Sequence, residues 1–108
     1  MAEPSFLAID VTDVGATCRR CGREITWVRT LAGRVMPCEA WSKLDPIVQT
    51  KHAIEVFWVR PSKGEPRVFR RSDEAHAFAR RKGAAVRPTI VRAFDVPSAL
   101  SHFANCKP

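Results

Sequence analysis

The sequence predicts a small α+β domain, and three observations carry that prediction. Short β-branched and aromatic runs recur between turn residues: EITWVRT before LAG and RVMP, AIEVFWV before PSKGEP and RVFRR, and later TIVRAFDV. Such runs have the composition of strands joined in hairpins. One segment, SDEAHAFARRKG, carries the local marks of a helix from start to stop. Finally, TCRRC near the beginning and HFANC at the end place cysteine and histidine at spacings that metal ions use.

Residues 1–14 hold one apolar run, Phe6 to Ile9, which reads either as a strand or as an arm docking on the body. Residues 15–38 form a Cys-x-x-Cys turn followed by a hairpin, with Ile25 and Trp27 alternating against Thr26 and Val28 and with Gly33 at the turn. The stretch CEAWSKLDP has turn formers and no clear period, so it is expected to be a loop or one helical turn. Residues 53–96 then read as β-β-α-β. In it AIEVFWV is the strongest strand, apolar on both faces, and Arg67 to Arg71 is a shorter antiparallel partner.

Ser72 is placed to cap the helix that follows, with Asp73 and Glu74 at its positive end, Ala75, Phe78 and Ala79 as an apolar stripe, and Arg80, Arg81 and Lys82 before a terminating Gly83. Residues 97–108 read as a last short helix capped by Ser98, in which His102 and Cys106 fall four apart on one face. The whole chain, 1–108, is expected to be a single domain, because its length supports one modest core.

Composition narrows the function classes. Hydrophobic residues are 45% and charged residues 27% of the chain, values of a folded globular protein rather than a disordered one. No apolar run reaches the ~20 residues a membrane helix requires, and the acidic start MAEPSFLAIDVTD is unlike a secretory signal. A cytoplasmic location without membrane attachment is expected. There thiols stay reduced, so four cysteines including a Cys-x-x-Cys point to metal or redox chemistry before disulfides.

Two thiolates separated by two residues, as in Cys18-Arg19-Arg20-Cys21-Gly22, bind one tetrahedral ion from a zinc knuckle, and glycine after the second cysteine permits the tight turn. With His102 and Cys106 the set becomes Cys3His, a closed shell of structural zinc type with no position for a reacting water. Cys38, returning from the hairpin in Met36-Pro37-Cys38, is the rival ligand. His52 and His76 have no evident partner in the sequence. Enzyme chemistry lacks its parts: there are no paired carboxylates, no Ser-His-Asp order and no phosphate-binding glycine loop. A treble-clef nuclease would need histidine and acidic residues on the hairpin, which offers Glu24 alone.

The runs TCRRCGREITWVRTLAGRVMP and SHFANC resemble a family of small uncharacterised zinc-binding proteins found widely in actinobacterial and other bacteriophage genomes. The shared pattern is Cys-x-x-Cys, Trp-x-x-Thr, a glycine turn, Met-Pro, and a terminal His-Phe-Ala-x-Cys. It covers residues 17–37 and 101–106, about a quarter of the chain. The resemblance implies Zn2+ held by Cys18, Cys21, His102 and Cys106, and no particular activity. Family members are brief between these halves, whereas this chain inserts the arginine-rich β-β-α-β segment.

That segment directs the functional expectation. Eighteen Lys plus Arg against eleven Asp plus Glu leave a net charge of +7, which attracts polyanions. A non-enzymatic, zinc-stapled and phage-encoded protein binding nucleic acid is expected, with Arg19, Arg20, Arg67, Arg70, Arg71, Arg80, Arg81 and Lys82 as phosphate contacts. Trp41 is a candidate stacking residue or a core plug. The alternative is an inhibitor or adaptor that docks the same charges on an acidic surface of a host protein, with Arg67 to Arg71 adding a strand to its partner.

Overall fold

A computed structural model describes residues 4–106, and it is mixed and strand-rich. The elements run β1 (Ser5–Thr17), β2 (Glu24–Thr30), β3 (Val35–Cys38), α1 (Trp41–Val48), β4 (His52–Val59), β5 (Arg67–Phe69), α2 (Ser72–Lys82), β6 (Val86–Pro97), one 3₁₀ turn (Ser98–Leu100) and α3 (His102–Asn105). They divide between two compact units, Met1–His52 with Ala93–Pro108, and Ala53–Arg92. In the first the strand order is β3-β2-β1-β6, and in the second it is β6-β4-β5, with β6 running through both.

The first unit is organised by β1. The stretch that the sequence left open between strand and arm is a thirteen-residue strand from Ser5, paired antiparallel with β2 on one side and with β6 on the other. Residues 1–3 of that expectation lie outside the described residues. Three register shifts interrupt the pairing with β2, the last between Asp13 and Ala16, where Gly15 takes φ +80°. Such bulges bend a strand and sharpen its twist, and glycine there avoids the Cβ clash.

The core of this unit consists of Ala8, Val28, Cys38, Leu44, Phe94 and Val96, all fully buried. Leu44 arrives on α1, an eight-residue helix where a loop or one helical turn was expected. Pro46 lies inside it and removes one backbone bond, a cost of about 3 kcal/mol. Trp41, Ile47 and Val48 join Leu44 against the core and offset that cost by burial. Trp41 is thus a core residue here rather than a free stacking platform. His52 also has a partner that the sequence did not reveal: its Nε2 lies 2.9 Å from Asp95 Oδ2.

The second unit packs α2 on one sheet face through Val59, Ala75, Phe78 and Ala79, with Phe57, Phe69, Ala84 and Val86 around them. Gly83 ends the helix at φ +65°, and the Ala84 amide donates to the Ala79 carbonyl over 2.9 Å, the hydrogen bond of a glycine C-cap. At the other end Ser72 is the first helical residue, not the cap. Arg71 holds the cap position in extended conformation and grips Asp73 by two hydrogen bonds of 3.2 and 3.0 Å. β5 ends at Phe69, two residues short of the expected strand.

Candidate metal centre

Cys18 and Cys21 sit in the loop that joins β1 to β2. Thr17 pairs with Glu24, so residues 18–23 form a hairpin tip. The Cys18 amide donates to Arg23 O over 2.9 Å and the Gly22 amide to Cys18 O over 2.8 Å, while Gly22 takes φ +75°. Closing the loop this way turns both sulfurs to one side. The backbone N–H groups of Cys21 and Arg20 approach the Cys18 sulfur and hold its thiol down to about 6. Donors aimed at the charged form stabilise a thiolate, the state a metal needs.

The other two ligands are delivered by β3. Thr26 pairs with Cys38, and Cys38 in turn bridges Ser101, with a 2.9 Å hydrogen bond from the Glu39 amide to Leu100 O. This lays the C-terminal segment beside the foot of the hairpin. Asn105 fastens it locally, its Nδ2 donating to Ala99 O at 2.9 Å and to Ser101 O at 3.1 Å, and Arg23 Nη1 donates across to Asn105 O at 3.3 Å. His102 starts α3, but Cys106 lies just past its end in extended conformation (φ −76°, ψ +111°). The two ligands therefore converge through a helix end rather than from one helical face.

All four ligand atoms lie within 4.8 Å of one another, with Cys18 Sγ 3.8 Å from Cys106 Sγ and Cys21 Sγ 3.3 Å from His102 Nε2. A tetrahedral ion with metal–sulfur bonds of about 2.3 Å sets its sulfurs roughly 3.8 Å apart. None of the cysteines forms a disulfide. His102 is 3% exposed and turns Nε2 to the cluster, while its buried Nδ1 has no hydrogen-bond partner among the described residues. Burial, with the neighbouring Cys18 and Cys21, pushes the Cys106 thiol up to about 11. Without an ion this corner gathers three sulfurs and a half-satisfied imidazole, and a divalent cation that displaces the thiol protons relieves it. The residues fit a metal.

The rival ligand is excluded by packing. Cys38 is fully buried among Ala8, Val28, Leu44, Phe94 and Val96, and burial, then Glu39, pushes its thiol up to about 11. A different chemistry for the four cysteines follows. In metal-loaded protein, a thiol reagent at neutral pH should modify none of them rapidly. A chelator should release Cys18, Cys21 and Cys106 first, and Cys38 should follow only as the core around it unfolds. Cys38→Ser retaining one metal by native mass spectrometry, with His102→Ala losing it, is the matching result; the reverse would remove His102 from the site.

The basic residues expected to contact phosphate are dispersed. Arg19 and Arg20 are exposed on the knuckle in the first unit, and Arg67, Arg70, Arg71, Arg80, Arg81 and Lys82 are exposed in the second. Some are engaged: Arg71 with Asp73, and Arg67 with its guanidinium 5.0 and 4.9 Å from the Phe69 and Phe78 ring centroids. Arg81 lies 6.0 Å from the Phe78 ring. His76 is exposed on α2 and is not among the clustered residues. No helix among the described residues is long and apolar enough to cross a membrane. Compared with protein-family models, curated proteins and solved structures, the chain matches none.

Proposed function

We propose that this chain is a non-enzymatic, zinc-stabilised basic protein that binds nucleic acid, in keeping with the resemblance to small phage proteins. Zn2+ suits Cys18, Cys21, His102 and Cys106 because three thiolates and one imidazole are its usual structural donors, and it would supply a cross-link and no reaction. The observation that carries the nucleic-acid reading is unneutralised charge. Of the eighteen Lys and Arg, Arg29 and Arg71 are held in ion pairs with Asp10 and Asp73. Arg70, Arg80 and Lys82 are exposed around α2 without a carboxylate partner, and Arg19 and Arg20 likewise on the knuckle.

Such groups neutralise phosphates and release counterions, so affinity should fall steeply as salt rises from ~50 to ~200 mM. Replacing Arg70 and Arg80 by alanine should flatten the plot of log affinity against log salt by about 1.4 to 1.8. Filter binding or fluorescence anisotropy reads this directly. The control is Arg34→Ala with Lys43→Ala, two exposed charges of the first unit. Equal losses in the two double variants would mean general attraction to a positive protein and no localised surface.

One observation favours the second reading, an acidic host protein as partner. β5 stands at the end of the strand order and pairs with β4 alone among the described residues, which leaves an edge for strand addition. That reading expects no retention on oligonucleotides, with the Arg70 and Arg80 variant losing capture of one acidic protein.

A further inference from the structure

A cleft of about 710 Å³ opens in the second unit, with Trp58, Arg60, Arg87, Pro88 and Thr89 among the residues that line it. Strand pleating explains its contents. Phe57 and Val59 pack toward α2, so Trp58 between them faces the other side of the sheet. On β6, Val86 joins the α2 cluster, which sends Arg87 and Thr89 to the face opposite. Trp58, Arg60 and Arg87 thereby line one cleft, with Ala85 and Val86 completing its wall. Trp58 is half-buried, and Arg60 and Arg87 are exposed.

No carboxylate lines the cleft, and neither arginine takes part in an ion pair among the described residues. Two positive side chains line one cleft beside an aromatic ring, and an anionic ligand would neutralise them. The volume lies within the range of pre-formed small-ligand sites, ~300–1,000 Å³. A lone phosphate would use the arginines and leave the indole idle; a purely apolar ligand would do the reverse. The chemistry that uses both is a nucleotide whose base is free to stack, flanked by phosphates. Bases inside a duplex already stack on each other, so the polymer must be single-stranded.

We infer that the Trp58, Arg60 and Arg87 cleft is a single-stranded nucleic-acid site, where one base stacks on Trp58 while Arg60 and Arg87 hold adjacent phosphates. This rests on the nucleic-acid reading above and adds a strand preference to it. The test uses the full-length, metal-loaded protein and fluorescent oligothymidylate, oligouridylate and duplex probes, each about twelve nucleotides long, within the site sizes of single-strand binders. The wild type should prefer a single strand to the duplex, and the tighter of the DNA and RNA probes identifies the polymer.

Trp58→Leu keeps an apolar side chain but removes most of the stacking surface, and should weaken single-strand binding about 5- to 100-fold. Duplex binding should change less than twofold, and Trp58→Phe should stay within a few-fold of wild type. If Trp58→Leu fails to fold by circular dichroism, Arg60→Gln with Arg87→Gln, both at exposed positions, carries the test. That variant should lose single-strand affinity and flatten its salt slope by about 1.4. Single-strand affinity within twofold of wild type in the folded variant, while Arg70→Ala with Arg80→Ala weakens binding, would overturn the cleft and leave the broader reading standing. No binding of any probe by wild type at ~50 mM salt would overturn both.

Discussion

Removing the metal should unfold the unit formed by Met1–His52 and Ala93–Pro108. Cys18 and Cys106 are 88 residues apart in sequence, so one ion closes nearly the whole chain, and the longer the loop closed, the more entropy is removed from the unfolded state. Structural zinc in small peptides is worth about 10–16 kcal/mol near neutral pH, against a whole-domain stability of about 5–15 kcal/mol. An ion held there would be worth as much as the whole net stability of a domain this size. Chelation, with metal loss verified by mass spectrometry, should abolish the cooperative thermal transition of this unit. Amide exchange should rise first in the hairpin tip at residues 18–23 and in the C-terminal segment. A melting curve unchanged after verified removal would show that the apolar core suffices.

Phe94→Ala should cost about 3–5 kcal/mol in the metal-loaded protein, the largest effect expected of any single core truncation here. Phe94 is the largest side chain with no exposed surface. It sits opposite Ala8 where β6 meets β1, and packs in the same cluster as Val28, Leu44 and Cys38. Deleting its ring leaves a void between the sheet face and Leu44, which the cluster fills only in part because backbone hydrogen bonds hold β6 against β1. Urea unfolding should show a lower midpoint with an unchanged slope, and Phe94→Leu should recover most of the loss. A cost below about 1 kcal/mol would mean that the site collapses freely, against the close packing described here.

Several features were out of reach of local reading. The stretch Cys38 to Pro46 reads as a loop or one helical turn because Pro46 and the turn formers around it oppose a longer helix, and propensity alone would decide against one by about 3 kcal/mol. What reverses the balance is Leu44, fully buried against residues from β1, β2 and β6, a partner set that no window of eight residues contains. β1 was ambiguous for a related reason: its burial pattern is broken by bulges and exposed from Thr12 to Gly15, so strict alternation never appears. Its place between β2 and β6 is a long-range pairing. Ser72 illustrates the ordinary one-residue error of boundaries, since the cap position falls on Arg71.

The sequence by itself determined the parts whose causes lie within a few residues. The Cys18–Cys21 knuckle, the β2–β3 and β4–β5 hairpins, and α2 with its Gly83 stop are each specified by turn geometry, side-chain spacing or capping acting over one or two turns. His102 and Cys106 were legible as ligand types for the same reason, and they lie with the knuckle in one cluster. Tertiary structure alone decided that Cys38 is walled into the core, that Cys106 reaches the cluster from beyond a helix end, and that Trp58 meets Arg60 and Arg87 in one cleft. Those outcomes depend on which strand lies beside which. Strand neighbours are chosen by apolar area removed from water, at about 25 cal/mol per Å² summed over residues far apart in the chain, and no short stretch of sequence carries that sum.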